Sequence, residues 1–257
     1  MRLTLLGTGN AGQVPVYNCH CAACRRARCD KRYRRGPCCA LIEHEGQRWL
    51  LDSGLMDLAE RFPPHSLSGI VQTHYHPDHA QGLLHLRWGQ GVRIPVLGPP
   101  DPTGLADLYQ HPGILDFSTS LRPFEPVQLG SLSVTAVPLA HSRLTYGYVF
   151  MGGDICFAYL TDTLGLPPET RGYLRRQRLD LVALDCSFAP QPHLPRNHND
   201  LTRALETLEQ LQFKNAVLTH VGHGLDAWLI ANPHALPDGV SIARDGDMFQ
   251  YEMASTI

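Results

Sequence analysis

The densest chemistry in the chain is Thr73-His74-Tyr75-His76-Pro77-Asp78-His79, with three imidazoles and one carboxylate within six positions. Neutral imidazole and carboxylate suit zinc, manganese or iron. The spacing His-x-His-x-Asp-His can serve two ions, with His74 and His76 turned to one and Asp78 and His79 to a second beside it. The plain alternative is a polar surface loop that is merely rich in histidine. So many ligand types in one turn argue against it. A second cluster, Cys19-His20-Cys21-Ala22-Ala23-Cys24, spaces three thiols as Cys-x-Cys-x2-Cys, three of the four ligands of a tetrahedral zinc. His223 is the candidate for the fourth, with Cys29 and His20 as rivals. Reduced cysteines without a metal are the plain alternative. His198 stands alone, just before the start of a helix, and is either a proton donor or an ordinary surface histidine.

The elements that must position these groups read as strand followed by loop. Ser68–Gln72 is a short strand before the histidine cluster, and Gly82 with Leu83, Leu84, Leu86 and Trp88 opens a helix after it. Arg2–Leu6 is a first strand, and Gly7–Gly12 a glycine-rich turn. That turn lacks the Lys-Ser/Thr of a phosphate loop, so its role is to let backbone pass close to the site. Cys39–His44 and Gln47–Leu51 form a hairpin around Glu45-Gly46. Asp52, like Ser53, can cap a helix over Leu55–Phe62. Ile94–Leu97 is a strand, and a helix begins after Asp101 with Leu105, Leu108 and Tyr109 on one face. Leu132–Val137 leads to His141. Tyr146–Phe150 and Ile155–Leu160 form a hairpin that leads to Asp162. A polar helix over Glu169–Arg178 and a buried strand over Leu179–Leu184 follow. Asp200 or Asn199 caps a helix to Leu211, and Ala216–Leu218 leads to His220.

The whole chain sets further bounds. It has 257 residues, 43% hydrophobic, with net charge −2, which gives no global field for nucleic acid or membrane. No apolar run approaches the roughly eighteen residues of a membrane helix. Met1–Gly7 is too short and too weakly charged for a signal peptide, so a cytoplasmic protein with reduced thiols is expected. There is no repeat and no linker, so residues 1–257 are expected to form one domain. Arg25–Arg35 holds seven cations, Arg25, Arg26, Arg28, Lys31, Arg32, Arg34 and Arg35. They are expected to form a solvated basic face, with a guide for a phosphorylated substrate as the minor alternative.

His-x-His-x-Asp-His followed by His141, Asp162 and His220, each at a strand end, resembles the metallo-β-lactamase superfamily. The resemblance implies an α/β fold, a four-layer αβ/βα sandwich. It implies one ion on His74, His76 and His141, another on Asp78, His79 and His220, and Asp162 bridging both, with Asp52 no ligand but a support of the histidine loop through a hydrogen bond to a ligand imidazole. Asp78 counts with the catalytic residues as well as with the ligands. His223 lies three residues after His220, so one short loop would reach both sites. Arg196–Leu201, Cys19–Cys24, Leu218–His223, Leu225–Leu229, Leu86–Gly89 and His111–Phe117 are similar to the phosphodiesterase branch of the carbon–phosphorus lyase pathway. That branch implies hydrolysis of 5-phosphoribosyl 1,2-cyclic phosphate to ribose 1,5-bisphosphate. It also implies two catalytic ions (manganese, with zinc or iron as alternatives), one structural zinc on Cys19, Cys21, Cys24 and His223, and a homodimer. His198 would then protonate the leaving sugar oxygen.

Fold alone does not fix a substrate. A tRNA 3′-processing ribonuclease or a lactonase on the same fold is one rival, though the long arm of such ribonucleases is missing. A coenzyme-biosynthesis carrier with an incomplete dinuclear set is another, and all seven ligand positions are filled here. A nucleic-acid binder built on the cysteine cluster is a weak third, since one such site does not organise 257 residues.

Overall fold

The computed structural model describes residues 1–252. The first half runs β1 (Arg2–Gly7), α1 (Ala22–Cys29), β2 (Cys39–His44), β3 (Gln47–Leu51), α2 (Leu58–Arg61), β4 (Gly69–Val71), α3 (Pro77–Ala80), α4 (Leu83–Leu86), β5 (Ile94–Leu97), α5 (Ala106–Gln110) and β6 (Leu115–Asp116). The second runs β7 (Pro126–Leu129), β8 (Leu132–Pro138), β9 (Tyr146–Gly152), β10 (Ile155–Leu160), α6 (Pro168–Leu174), β11 (Leu179–Asp185), α7 (Leu201–Leu208), β12 (Phe213–Thr219), α8 (His223–Ala231), β13 (Val240–Ile242) and β14 (Met248–Gln250). Two seven-stranded sheets result, in the orders β14-β1-β2-β3-β4-β5-β6 and β13-β12-β11-β10-β9-β8-β7.

Side-chain alternation explains the four layers. In β10, Ile155, Phe157 and Tyr159 enter the core between the sheets, while Cys156, Ala158 and Leu160 face the helices outside. In β2, Ala40 and Ile42 point inward, and Cys39 and Leu41 meet Leu58, Leu83 and Leu108 on the outer face of the first sheet. A strand covered on both sides reads as a continuous apolar run, as β10 does. Helices therefore flank both sheets, and the αβ/βα sandwich is observed.

Each sheet is parallel on one side. β3, β4, β5 and β6 run parallel in the first sheet, and β10, β11, β12 and β13 in the second. Loops at the carboxyl ends of parallel strands gather on one edge, which is where open α/β sheets bind ligands. β3 ends at Asp52, β4 at the histidine cluster, β10 at Asp162, β11 at Asp185 and β12 at His220. Asp52, Asp162 and His220 all adopt left-handed backbone, with φ of 57°, 64° and 59°. Such a non-glycine residue costs about 1–3 kcal/mol, and such strain clusters at functional sites. Here it turns the chain sharply out of each strand and aims the side chain at the common edge.

Some expectations are corrected. Neither Asp52 nor Ser53 caps a helix. Asp52 is bonded to Thr73 and His79, and the Ser53 hydroxyl donates to Gln72 Oε1 at 2.9 Å. The expected helix over Leu55–Phe62 shrinks to Leu58–Arg61. Gly54 packs there so tightly that a Cβ would stand 1.9 Å from the Asp78 carbonyl oxygen. Asp200 is the cap of α7, accepting from Arg203 N, and that helix ends at Leu208 rather than Leu211. The polar helix stops at Leu174. The glycine turn behaves as expected: Gly9 bridges Pro37 and Val221, which brings the chain beside the loop after His220. The basic run does not form one solvated face. Arg35 is buried, and its guanidinium grips Asp226 of α8 with contacts of 3.1 and 3.0 Å.

Candidate metal centre

All seven expected dinuclear ligands converge. His74 Nε2 lies 2.9 Å from His76 Nδ1, which lies 3.1 Å from His141 Nε2. Asp162 Oδ2 stands 3.6 Å from both His74 Nε2 and His141 Nε2. Its other oxygen, Oδ1, lies 3.1 Å from His79 Nε2 and 3.4 Å from His220 Nε2. Asp78 Oδ2 completes that second group at 3.5 Å from His79 and 3.6 Å from His220. A tetrahedral ion about 2.1 Å from its ligands sets neighbouring ligand atoms about 3.4 Å apart, close to these spacings. One carboxylate thus faces both groups, one oxygen to each.

Two other carboxylates orient the rings from behind, and they do it in the same way. Asp52 accepts from His79 Nδ1 at 2.8 Å and from the Thr73 hydroxyl at 2.8 Å, and that hydroxyl takes the Nδ1 proton of His74 at 3.0 Å. Asp185 accepts from His198 Nδ1 at 2.7 Å and contacts the Ser187 hydroxyl at 3.2 Å, and Ser187 takes the Nδ1 proton of His220 at 2.8 Å. Each carboxylate fixes one imidazole directly and one through a hydroxyl. His141 donates from Nδ1 to the Asn197 carbonyl at 3.2 Å. With the protons on Nδ1, the Nε2 lone pairs of His74, His79, His141 and His220 all face the centre.

The residues fit divalent ions. His79 Nε2 and His220 Nε2 are buried and have no hydrogen-bond partner. Buried acceptors aimed at one another and at a carboxylate are unfavourable unless a cation stands between them. The electrostatics agree. Burial opposes a proton on His79, yet Asp162 and Asp52 outweigh it and hold this imidazole well above its ordinary value. A proton is held where a cation would sit. Burial, helped by His79, pushes His74 well below its usual range. Burial would raise Asp162, but His220, His79 and His74 keep it well below the carboxylate range.

His198 belongs to the same edge without joining the ligand set. Its ring stacks on His220 with centroids 4.6 Å apart and lies 5.0 Å from the His141 ring. Burial disfavours its charge, but Asp185 wins and raises it above its ordinary value. Because Nδ1 is held by Asp185, Nε2 is the atom left to serve a substrate.

The cysteine cluster also assembles. Cys19, Cys21, Cys24 and His223 place ligand atoms within 4.8 Å of one another, with Cys19 Sγ 3.3 Å and Cys21 Sγ 3.5 Å from His223 Nδ1. His20 and Cys29 are exposed and outside the group.

The sequence does not announce the roles of Asp185, Ser187, Thr73 or Arg143. An acidic residue at the carboxyl end of a buried strand was the available signal for Asp185. Arg143 ties the loop between His74 and His76 to its neighbour, donating to the Tyr75 carbonyl at 3.1 Å and to Asp101 Oδ2 at 2.6 Å.

Among curated proteins, an octanoyltransferase of Porphyromonas gingivalis is 29% identical over 238 residues, 87% of this chain and 46% of that protein. Coenzyme PQQ synthesis protein B of Rhodopseudomonas palustris is 30% identical over 107 residues, 37% of this chain and 35% of its own length. The chain spans less than half the length of these two relatives. Among solved structures, a diphosphatase from the PhnP family superposes with a TM-score of 0.80 at 27% identity, covering 98% of both chains. Zn(2+)-bound PqqB from Methylobacterium extorquens gives 0.77 at 18% identity over 98% of this chain and 100% of its own. The short form of human tRNase Z gives 0.70 at 18% identity, with the same coverage. The last two share the fold. The Beta-lactamase superfamily domain matches residues 48–221. Because that stretch runs from β3 past His220 and takes in every residue of the double ligand cluster, this chain belongs to the β-lactamase superfamily.

Proposed function

We propose that this chain is a phosphodiesterase with two catalytic divalent ions that opens a small cyclic phosphodiester. Its substrate in this reading is 5-phospho-α-D-ribosyl 1,2-cyclic phosphate, hydrolysed to ribose 1,5-bisphosphate. The observation that carries the reading is Asp162, whose two oxygens face different ligand groups at 3.1–3.6 Å. When bound, two adjacent ions supply the positive charge that lets an anionic diester accept attack by water. Manganese, zinc and iron all suit the ligands. Cys19, Cys21, Cys24 and His223 hold a structural zinc in the same reading.

The chain's own residues do the rest. Asp52 and Asp185 keep four imidazoles in one tautomer and one orientation. The cyclic ester expels a sugar oxygen that must gain a proton. His198, whose proton Asp185 holds more firmly than an ordinary imidazole's, donates it from Nε2. The 27% identity to a PhnP-family diphosphatase supports this branch. That protein's name also favours a second reading, hydrolysis of a phosphoric anhydride. Its leaving group is a phosphate and needs little help from His198.

The test is a panel assayed on metal-reconstituted protein: the 1,2-cyclic phosphate, a linear phosphodiester, a diphosphate diester, a precursor tRNA and a lactone. The highest kcat/KM is expected on the five-membered cyclic phosphate. A clear preference for the diphosphate, the tRNA or the lactone overturns the assignment.

A further inference from the structure

A cavity of about 210 Å³ lies between α1, α8 and the segment after β13, and it includes none of the proposed metal ligands. It is lined by Arg26, Arg32, Arg34, Arg35 and Arg244, with Asp226 as its one carboxylate, and of these Arg35 and Asp226 are buried. Its apolar lining is Leu229, Ile230, Leu236 and Ile242, with Ile230 exposed and the other three half-buried.

The charges there do not balance. Both Asp226 oxygens are committed to Arg35, and Arg26 shares one of them at 3.6 Å. Arg32 is paired with Asp30. Among the described residues, neither Arg34 nor Arg244 has a carboxylate within 4.0 Å. Arg34 spends only its Nε, on the Ala27 carbonyl. Arg26 Nε is buried with no hydrogen-bond partner. The guanidinium of Arg26 lies 4.0 Å and that of Arg244 5.8 Å from the centre of the Tyr33 ring. Like charges gathered around one ring repel unless an anion is shared between them. Guanidinium forks match phosphate oxygens in pairs.

We propose that this cavity is a second binding site for a small phosphomonoester. Its dianion meets the two uncompensated arginines, Arg34 and Arg244, and its apolar group rests against Leu229, Ile230, Leu236 and Ile242. The volume lies below the ~300 Å³ usual for drug-sized ligands, so a compact molecule fits and a macromolecular segment does not. Asp226 sits on α8 one turn beyond His223, so the site abuts the helix that begins with the proposed zinc ligand.

The test uses the full-length, metal-reconstituted protein titrated calorimetrically with phenylphosphonate, a dianion that cannot be hydrolysed at an ester bond. Binding outside the catalytic centre is expected. R34Q/R244Q should weaken that binding at least tenfold while kcat, KM and melting temperature stay as in the wild type. Benzoate, a monoanion of similar shape, should bind at least tenfold more weakly. Affinity for phenylphosphonate unchanged in R34Q/R244Q, or equal affinity for benzoate, overturns the proposal. Should R34Q/R244Q melt early, R244Q alone, at an exposed position, provides the same comparison.

Discussion

Replacing Asp52 with Asn tests the idea that a buried carboxylate sets ligand tautomers. Asp52 Oδ1 accepts from Thr73 N and Thr73 Oγ1, both at 2.8 Å, and Oδ2 accepts from His79 Nδ1 at 2.8 Å. Asparagine keeps the shape but has one acceptor and one donor end. Its oxygen can keep both Thr73 bonds, so the Thr73–His74 link survives. Its amide then faces His79 Nδ1, donor against donor. His79 escapes by moving its proton to Nε2, the atom that aims at Asp162, and so ceases to be a ligand. Loss of such an orienting partner lowers metal affinity by ~10–100-fold, or about 1.4–2.8 kcal/mol. The loss should fall on the ion held by Asp78, His79 and His220, and spare the one held by His74, His76 and His141. Calorimetric titration of metal-free protein measures both affinities, and nitrogen NMR of the imidazoles reads the tautomer directly. Two wild-type affinities, or a His79 that keeps its Nδ1 proton, would refute the reasoning. Asp52→Ala is harsher. It strands three buried donors, Thr73 N, Thr73 Oγ1 and His79 Nδ1, at ~1–3 kcal/mol each, and should lower the melting temperature markedly.

Other consequences can be measured alongside. His198→Ala should retain both catalytic ions by metal analysis and lose roughly 10²–10⁴-fold in kcat on an alkyl ester, with much less loss on a p-nitrophenyl ester. Equal loss on both would assign His198 to phosphate binding instead. Because Asp185 raises His198 and the acid must be protonated, activity on a poor leaving group should fall as pH rises through that raised value. In Asp185→Asn the cause of the rise is gone and burial remains, so the alkaline limb of kcat should move to lower pH; an unmoved limb would assign it to another group. A Cys21→Ser, Cys24→Ser double variant should lose its structural zinc and melt earlier, with turnover reduced only indirectly through the loop that His223 shares with His220. Unchanged zinc content would remove the four-ligand assignment.

What the sequence discloses follows from how local each feature is. His74, His76, Asp78 and His79 share one turn, so their purpose is legible from spacing. The cysteine cluster is legible for the same reason. His141, Asp162 and His220 are single residues at strand ends, and only their likeness to a family pattern marks them. The left-handed backbone at Asp52, Asp162 and His220 leaves no trace in residue type, since it is imposed by packing where strands end. Asp185 takes its role from a ring 13 residues on and Ser187 from one 33 residues on, which no local pattern encodes. Arg35 was expected among solvated cations because its neighbours are basic. Its partner Asp226 lies 191 residues away and draws it inside. β14 has three residues, too few for a period, and exists because β1 offers it an edge, with Leu3 opposite Phe249.

The charge count gives an independent reason to connect the site with an anionic diester. Asp52, Asp78, Asp162 and Asp185 lie on or directly behind the ligand cluster, and their ion-pair partners among the described residues are all histidines, with no lysine or arginine. Three of these side chains are at most 2% exposed, and Asp78 is 15% exposed. Buried carboxylates without fixed cations are costly. One divalent ion would leave half of that charge uncovered, whereas two match it. His198, which Asp185 raises above its ordinary value, would add one positive charge beside them when protonated. The diester group of the proposed substrate would bring one negative charge beside that imidazole. A neutral lactone would bring no negative charge to meet that proton, and a carrier that releases its cargo unchanged has no use for it.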